Sequence, residues 1–70
     1  MKELKDGMFV IAPKRCQSWL TEGKKYKVFN VEKINTIYKY SFHIIDDIGD
    51  KNICVLNKSG HLKDQDWIIE

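Results

Sequence analysis

Two cysteines and two histidines are the side chains of this sequence best suited to metal binding or nucleophilic chemistry. Cys16, His43, Cys54 and His61 match the ligand types of a Cys₂His₂ zinc site. None of them has the close CxxC or HxxxH spacing that structural zinc sites use. They also supply a thiol nucleophile and an imidazole base, and Cys54 and His43 fall on strands that we expect to pair. Because 70 residues leave little room for a water-excluding cleft, we predict a buried thiol and a solvent-facing imidazole, with no catalytic residue, metal or cofactor.

Three acidic side chains, Asp46, Asp47 and Asp50, crowd one short segment and offer oxygen ligands of the type that calcium prefers. The spacing of an EF-hand is absent. The residues 46–49 are instead typical of a tight turn, because an Asp accepts backbone N–H bonds two residues on and Gly49 adopts a positive φ. The segment therefore predicts a type I turn closed into a bulged hairpin, and not a calcium site.

Positive charge is concentrated in the first part of the chain. Residues 1–40 carry nine Lys and Arg against four acids, whereas residues 41–70 carry three Lys against six acids. Cations interleaved with tyrosines are typical of surfaces that follow a nucleic-acid backbone. A nucleic-acid-binding alternative would rest on Lys24, Lys25, Lys27 and Lys39. Against it, the phase of the strand directs Tyr26 into the core, and the pI of 8.6 is below the range of dedicated nucleic-acid domains.

Alternation of apolar and polar residues predicts an all-β chain with five strands, of which the fourth follows the turn at Gly49. The predicted strands cover residues 8–12, 24–33, 38–44, 53–56 and 67–70. Pro13 ends the first strand because proline lacks the ladder donor. Within the second strand the apolar phase changes after Val28, which predicts a bulge or sharp bend. The predicted inward-facing set is Tyr26, Val28, Phe42, Ile44, Val55 and Trp67.

The order of these elements is strand, long loop, strand, connection, strand, tight turn, strand, 3₁₀ turn and short strand. This order resembles that of the SH3-like barrel, a five-stranded fold with one short 3₁₀ turn before its last strand. The resemblance implies a single barrel domain over residues 1–70. It does not extend to recognition of PxxP peptides, because residues 8–12 replace the A-L-Y-D-Y run of the signalling SH3 domains.

A sharper likeness comes from Leu-Thr-Glu-Gly-Lys-Lys-Tyr-Lys-Val at residues 20–28, followed by Ile-Ile-Asp-Asp-Ile-Gly at 44–49. This combination resembles small uncharacterised proteins of phages and bacterial mobile elements, which share an L-T-x-G-K-x-Y-x-V and I-x-D-D-x-G pattern. The likeness implies a fold and a setting, and no activity. We therefore expect a non-catalytic interaction module that binds protein, with nucleic acid as the alternative partner.

The predicted binding site lies on the long loop 14–22 and the adjoining start of the third strand. In SH3-like barrels these two segments lie side by side, and Trp and Arg are frequent binding anchors. The predicted site residues are Arg15, Gln17, Trp19, Tyr38 and Lys39. For Trp19 two interpretations stay open, a binding anchor or a plug that packs over the end of the barrel.

The composition indicates a soluble protein without a membrane segment. The longest wholly apolar run, residues 8–12, has five residues and is too short to cross a bilayer. Residues 1–6 are charged and lack the apolar region of a secretion signal. We therefore expect a cytoplasmic location, in which Cys16 and Cys54 are free thiols.

Overall fold

Six short strands form two antiparallel sheets. The computed structural model of the protein describes residues 3–70, except for the side chain of His61, and contains no α-helix over this range. The strands are β1 (Phe9–Ile11), β2 (Lys25–Lys27), β3 (Phe29–Lys33), β4 (Tyr40–Ile45), β5 (Lys51–Val55) and β6 (Ile68–Ile69). The first sheet has the order β2-β1-β6 and the second the order β3-β4-β5. A single 3₁₀ turn, Gly60–Leu62, precedes β6. The all-β prediction is confirmed.

The predicted second strand, residues 24–33, is divided into β2 and β3, so the described chain has six strands where five were expected. Tyr26 and Val28 are buried, and the chain then crosses from the first sheet to the second. Asn30 has a φ of 51°, and the pairing of β3 with β4 shifts register between Phe29 and Glu32. A bulge of this kind bends a strand. The change of apolar phase after Val28 therefore marked a real bend, sharp enough to separate two strands.

The hairpin formed by β4 and β5 has the turn that the sequence predicts. Gly49 has a φ of 87°, and its N–H donates to the carbonyl of Asp46 at 3.1 Å. The Asp46 Oδ1 accepts hydrogen bonds from the N–H groups of Ile48 and Asp50, at 3.1 and 2.8 Å. Asp46 is thereby satisfied although it is buried. The positive φ at Gly49 and the turn role of Asp46 are confirmed.

The core lies between the two sheets and contains five of the six residues predicted to face inward: Tyr26, Val28, Phe42, Ile44 and Trp67. Val55 was predicted to face inward and is only half-buried, whereas Cys54 is buried. The register explains the correction, because Phe42 lies directly opposite Cys54 and opposite residues of an antiparallel pair share one face. Ile53 therefore points outward and is 61% exposed.

The ring of Trp67 joins the two sheets at the centre of this core. It makes edge-to-face contacts with Tyr26 at 6.0 Å and with Phe42 at 5.9 Å between ring centroids. Its backbone N–H donates to the carbonyl of Leu56 at 2.9 Å, just beyond β5. Within residues 3–70, no helix has the length and apolar composition that a membrane span needs.

Candidate functional site

The cysteines and histidines do not form one constellation in the described residues. Cys54 faces the core and His43 the opposite side of the same sheet, because they belong to neighbouring pairs of the β4–β5 ladder. The two side chains therefore point to opposite faces of the sheet, and the thiol is buried as predicted. Burial raises the pKa of Cys54 to about 12, which disfavours the thiolate that nucleophilic attack or metal binding requires.

Cys16 is half-buried, and both thiols are free. The side chain of His61, the fourth candidate, lies outside the described residues. Across residues 3–70 without that side chain, no group of three or more His, Cys, Asp or Glu has the arrangement to hold a metal ion.

The carboxylate of Asp47 collects three hydrogen bonds from distant parts of the chain. Thr21 Oγ1 donates to it at 2.5 Å, Lys24 Nζ at 2.7 Å and the Tyr26 hydroxyl at 2.8 Å. The Tyr26 oxygen in turn accepts the N–H of Thr21 at 2.7 Å. The hydrogen bond from Lys24, followed by that from Thr21, lowers the pKa of Asp47 to about 2. We call this group, with the turn at residues 46–50, the hairpin end of β4.

The hairpin end brings together the two halves of the pattern seen in the sequence. Thr21, Lys24 and Tyr26 belong to the L-T-x-G-K-x-Y half, and Asp47 belongs to the I-x-D-D half. The sequence showed both halves but not that they meet. Because the donors around the Asp47 carboxylate satisfy it, this cluster attaches the first loop to the hairpin.

Trp19, the residue singled out from the first loop, lies at the hairpin end. Its carbonyl accepts the N–H of Asp47 at 3.0 Å, and its half-buried side chain packs against the core. It lines a shallow crevice with Ile48 and Lys51. These contacts are those of a side chain that covers the core, although part of the ring stays accessible.

The other predicted site residues are distributed over the molecule. Tyr38 and Lys39 precede β4 and so lie at the opposite end of that strand from Trp19, about 20 Å away along six residues. Arg15 is exposed with a φ of 64°, beside Lys14, whose carbonyl accepts from Gln65 Nε2 at 2.7 Å. Gln17 is half-buried. The structure therefore does not bring Trp19 together with Tyr38 and Lys39.

The four lysines of the nucleic-acid alternative lie in two places, three of them in one groove. Lys24 pairs with Asp47 at 2.7 Å, and Lys25 pairs with Glu70 at 2.6 Å. Lys24, Lys25 and Lys27 nevertheless line one open groove with Phe9 and Phe29, whereas Lys39 lines a cleft at the start of β4. Tyr26 is buried, as the strand phase predicted. Three of the four lysines therefore share one groove, in which two of them are paired with an acid, and Lys39 lies in a different cleft.

A cleft of about 620 Å³ lies at the start of β4. Its apolar lining comes from Tyr40, Leu56, Trp67 and Ile69. Its charged lining comes from Lys33, Lys39, Glu3 and Asp66. It therefore combines the apolar floor and balanced polar rim of a small binding site. We call it, together with the loop of residues 34–39, the cleft end of β4.

Two of the residues that line this cleft each carry a buried polar atom without a hydrogen-bond partner among the described residues. Trp67 Nε1 is a donor on a residue only 3% exposed, and Asn57 Oδ1 is an acceptor on a half-buried residue. An unsatisfied buried group costs roughly 1–3 kcal/mol. One unmet donor and one unmet acceptor therefore belong to residues that line the same cleft.

The loop of residues 34–39 is held in one conformation and presents apolar side chains beside the cleft. Asn35 Oδ1 accepts the N–H groups of Ile37 and Tyr38 at 3.0 and 2.7 Å. Ile34 N–H donates to the carbonyl of Lys39 at 2.9 Å. Ile37 is nevertheless 57% exposed and Tyr38 is 40% exposed. Ile37 was not among the predicted site residues. The sequence offered one indication of its exposure, an isoleucine between Asn-Thr and Tyr in a loop.

Comparisons with known proteins add no relative, since no family model, no curated protein and no solved structure matches the chain.

Proposed function

We propose that the protein is a non-catalytic interaction module of the SH3-like barrel class, and that its partner is a protein. An extended polypeptide segment of the partner occupies the cleft end of β4. Tyr38 and Lys39 of the predicted site take part in this contact. Arg15, Gln17 and Trp19 are not among the residues that line the cleft.

The observation that carries this proposal is the unmatched pair of buried polar groups on two residues that line the cleft. Trp67 Nε1 requires an acceptor and Asn57 Oδ1 requires a donor. A peptide group supplies both, because each residue carries one C=O and one N–H. The apolar floor formed by Tyr40 and Leu56 accommodates an aliphatic side chain next to that peptide group.

The loop beside the cleft supports the same partner class. Burying an exposed aliphatic or aromatic side chain contributes roughly 1.5–3 kcal/mol to association. Ile37 and Tyr38 are available for this, and the hydrogen bonds of Asn35 hold their backbone in place before binding. A loop that is already ordered loses less conformational entropy when a partner binds. Charges of both signs line the cleft, which favours a segment with little net charge.

The shifted titratable groups also support a non-catalytic role. The carboxylate of Asp47 is engaged with Lys24, Thr21 and Tyr26, all of which hold the fold together. Burial keeps the Cys54 thiol protonated. Neither group is positioned in the cleft that we propose as the binding site.

The two tryptophans provide a direct test, because their indole N–H signals report on opposite ends of β4. Peptides recovered from a random library on immobilised protein are titrated into ¹⁵N-labelled protein. We expect the Trp67 indole signal to shift while the Trp19 signal changes little. Tyr38→Ala should weaken binding by roughly tenfold or more, as loss of an anchor residue does.

Ile48→Ala is the matched control, because Ile48 is 71% exposed but lies at the hairpin end. It should leave peptide affinity unchanged. The proposal is overturned if Ile48→Ala and Tyr38→Ala weaken binding equally. It is also overturned if only oligonucleotides move these signals, with an affinity that falls steeply as salt rises.

A further inference from the structure

The outer surface of the second sheet carries an uncharged row at its centre. Phe29 of β3 pairs with His43 of β4, and His43 pairs with Ile53 of β5, so the three side chains point outward in line. The rings of Phe29 and His43 meet edge to face at 5.5 Å between centroids. We call these three residues the outer row. Ile45, two residues beyond His43 on the same face, is 49% exposed and extends the apolar surface.

An antiparallel sheet that faces water normally alternates apolar residues inward with polar residues outward. In the second sheet, Phe42 and Ile44 face the core, but the outward positions of β4 and β5 still include Ile45 and Ile53. Contiguous apolar surface on a small protein frequently marks an interaction site. The outer row shares no residue with the proposed peptide cleft.

Opposite charges flank the outer row on the side of β3, one on β3 itself and one at the end of β2 in the first sheet. Lys27 precedes Phe29 by two residues, and Glu32 follows it across the bulge, paired with Ser41. Lys27, Phe29 and Ile45 line one open groove, which places Lys27 on one side of the row. Ser41 lies beyond His43 in the other direction along β4, which places Glu32 on the opposite side. Neither Lys27 nor Glu32 has a salt-bridge partner among the described residues.

We propose that this face binds the same face of a second copy of the chain, related by a two-fold axis that runs along the outer row. Such an axis superposes the row on itself, so that Phe29, His43 and Ile53 each meet their own counterpart. It also interchanges the two flanks, so that Lys27 of each copy faces Glu32 of the other. The contact is isologous and closes at two copies.

The size of the face indicates a weak dimer. Three strands about 4.8 Å apart, each with about five residues of about 3.3 Å, form a face of roughly 14 by 17 Å. Stable interfaces bury more than about 1,000 Å² in total, which exceeds what two such faces supply. We therefore expect a dissociation constant of roughly 0.1–1 mM, with most copies monomeric in dilute solution.

Charge favours a second copy over a nucleic acid as the occupant. Lys27 and Lys51 contribute positive charge to the rim of the face and Glu32 contributes negative charge, so the positive excess is small. Lys24 and Lys25, which line the groove with Lys27, are paired with Asp47 and Glu70. A nucleic acid requires an excess of cations to replace its counterions. Because Lys27 and Glu32 lie on opposite sides of the outer row, the face is complementary to itself.

Sedimentation velocity of the full chain over roughly 10 μM to 2 mM tests the dimer. The average mass should rise with concentration from 8.3 kDa towards that of two copies and no further. Lys27→Glu and Glu32→Lys, each measured alone, should weaken dimerisation by roughly tenfold, because each replaces two attractive contacts with two repulsive ones. When the two variants are mixed, they should associate with each other, because the mixed pair regains attractive contacts that neither variant makes with itself.

Ile53→Ser should remove dimerisation, whereas the control Ile48→Ser, at an exposed isoleucine outside the row, should not. Thermal melting at low concentration shows that each variant is folded. The proposal is overturned if the protein remains monomeric at the highest concentration, or if the mixed charge variants fail to associate. It is also overturned if the mass continues to rise beyond two copies or if only an added oligonucleotide changes it. Because Ile53 is outside the cleft, the peptide binding proposed above should survive Ile53→Ser whatever the outcome.

Discussion

Beyond Ile45, β4 leads into a turn in which Asp46 and Asp47 accept hydrogen bonds from two segments, residues 21–26 and the hairpin itself. Before Tyr40, the same strand follows a loop that exposes Ile37 and Tyr38 next to a cleft, two of whose lining residues carry unmatched polar atoms. The hairpin end satisfies Asp46 and Asp47 within the chain. At the cleft end, one donor and one acceptor have no partner among the described residues. Exposed isoleucines occur at both ends, so the state of the polar groups separates the hairpin end from the end that we propose for binding better than exposure does.

Phe42 lies between the two ends, and its truncation should affect both of them. It is completely buried and contacts the ring of Trp67. Phe42→Ala should lower the free energy of unfolding by about 3–5 kcal/mol, because the cavity adds to the lost burial. Denaturant unfolding measures this loss. Fast amide exchange throughout β4 and β5 in the unchanged protein would contradict a core centred on Phe42.

Trp19→Ala, at the hairpin end, should lower the stability of the fold. Tyr38→Ala, at the cleft end, should leave it almost unchanged. Trp19 packs against the core while half-buried, so we expect a loss of roughly 2 kcal/mol, less than for a fully buried aromatic residue. Tyr38 is 40% exposed, and its loss should stay within about 0.5 kcal/mol. Thermal melting compares the two variants. Equal losses would show that both ends are structural.

Gly49→Val tests the turn on which the hairpin end depends. With a φ of 87° and open space where a Cβ would lie, the cost comes from backbone conformation alone, about 1–2 kcal/mol. Gly60 is the matched control, because a Cβ there also meets nothing within 4 Å and its φ is not positive. Gly60→Ala should change the melting temperature little. A similar loss in both variants would mean that the cost of replacing Gly49 does not come from its positive φ.

Acid should weaken the hairpin end selectively. The pKa of Asp47 is lowered in the folded protein from 3.8 to about 2, chiefly by its hydrogen bond with Lys24. A carboxyl group whose pKa is lower when folded stabilises the fold above its unfolded pKa, and this contribution is lost as the pH falls from about 4 to 2. Unfolding measured across this range should therefore show a steeper pH dependence for the unchanged protein than for Asp47→Asn. Parallel curves would show that the Asp47 cluster does not contribute to stability.

Local chemistry was sufficient to predict several elements of this protein. A turn with Asp46 and Gly49 depends on neighbouring backbone groups, so its conformation could be inferred from four consecutive residues. The bend after Val28 could be inferred in the same way, because the apolar phase reverses within one segment. The burial of Phe42, Ile44 and Tyr26 followed from strict alternation.

Other features depend on contacts between segments distant in sequence, and only the tertiary structure decided them. The inward face of β5 is determined by its register with β4, which pairs Phe42 with Cys54; period-two alternation alone fits Val55 equally well. Asp47 meets Thr21, Lys24 and Tyr26 across more than twenty residues of chain. A pattern within a short stretch of sequence cannot predict contacts over that separation. Trp19 and Tyr38 were expected in one groove because loops that flank a barrel end commonly adjoin. The backbone bond from Asp47 to the Trp19 carbonyl instead holds that loop at the far end of β4.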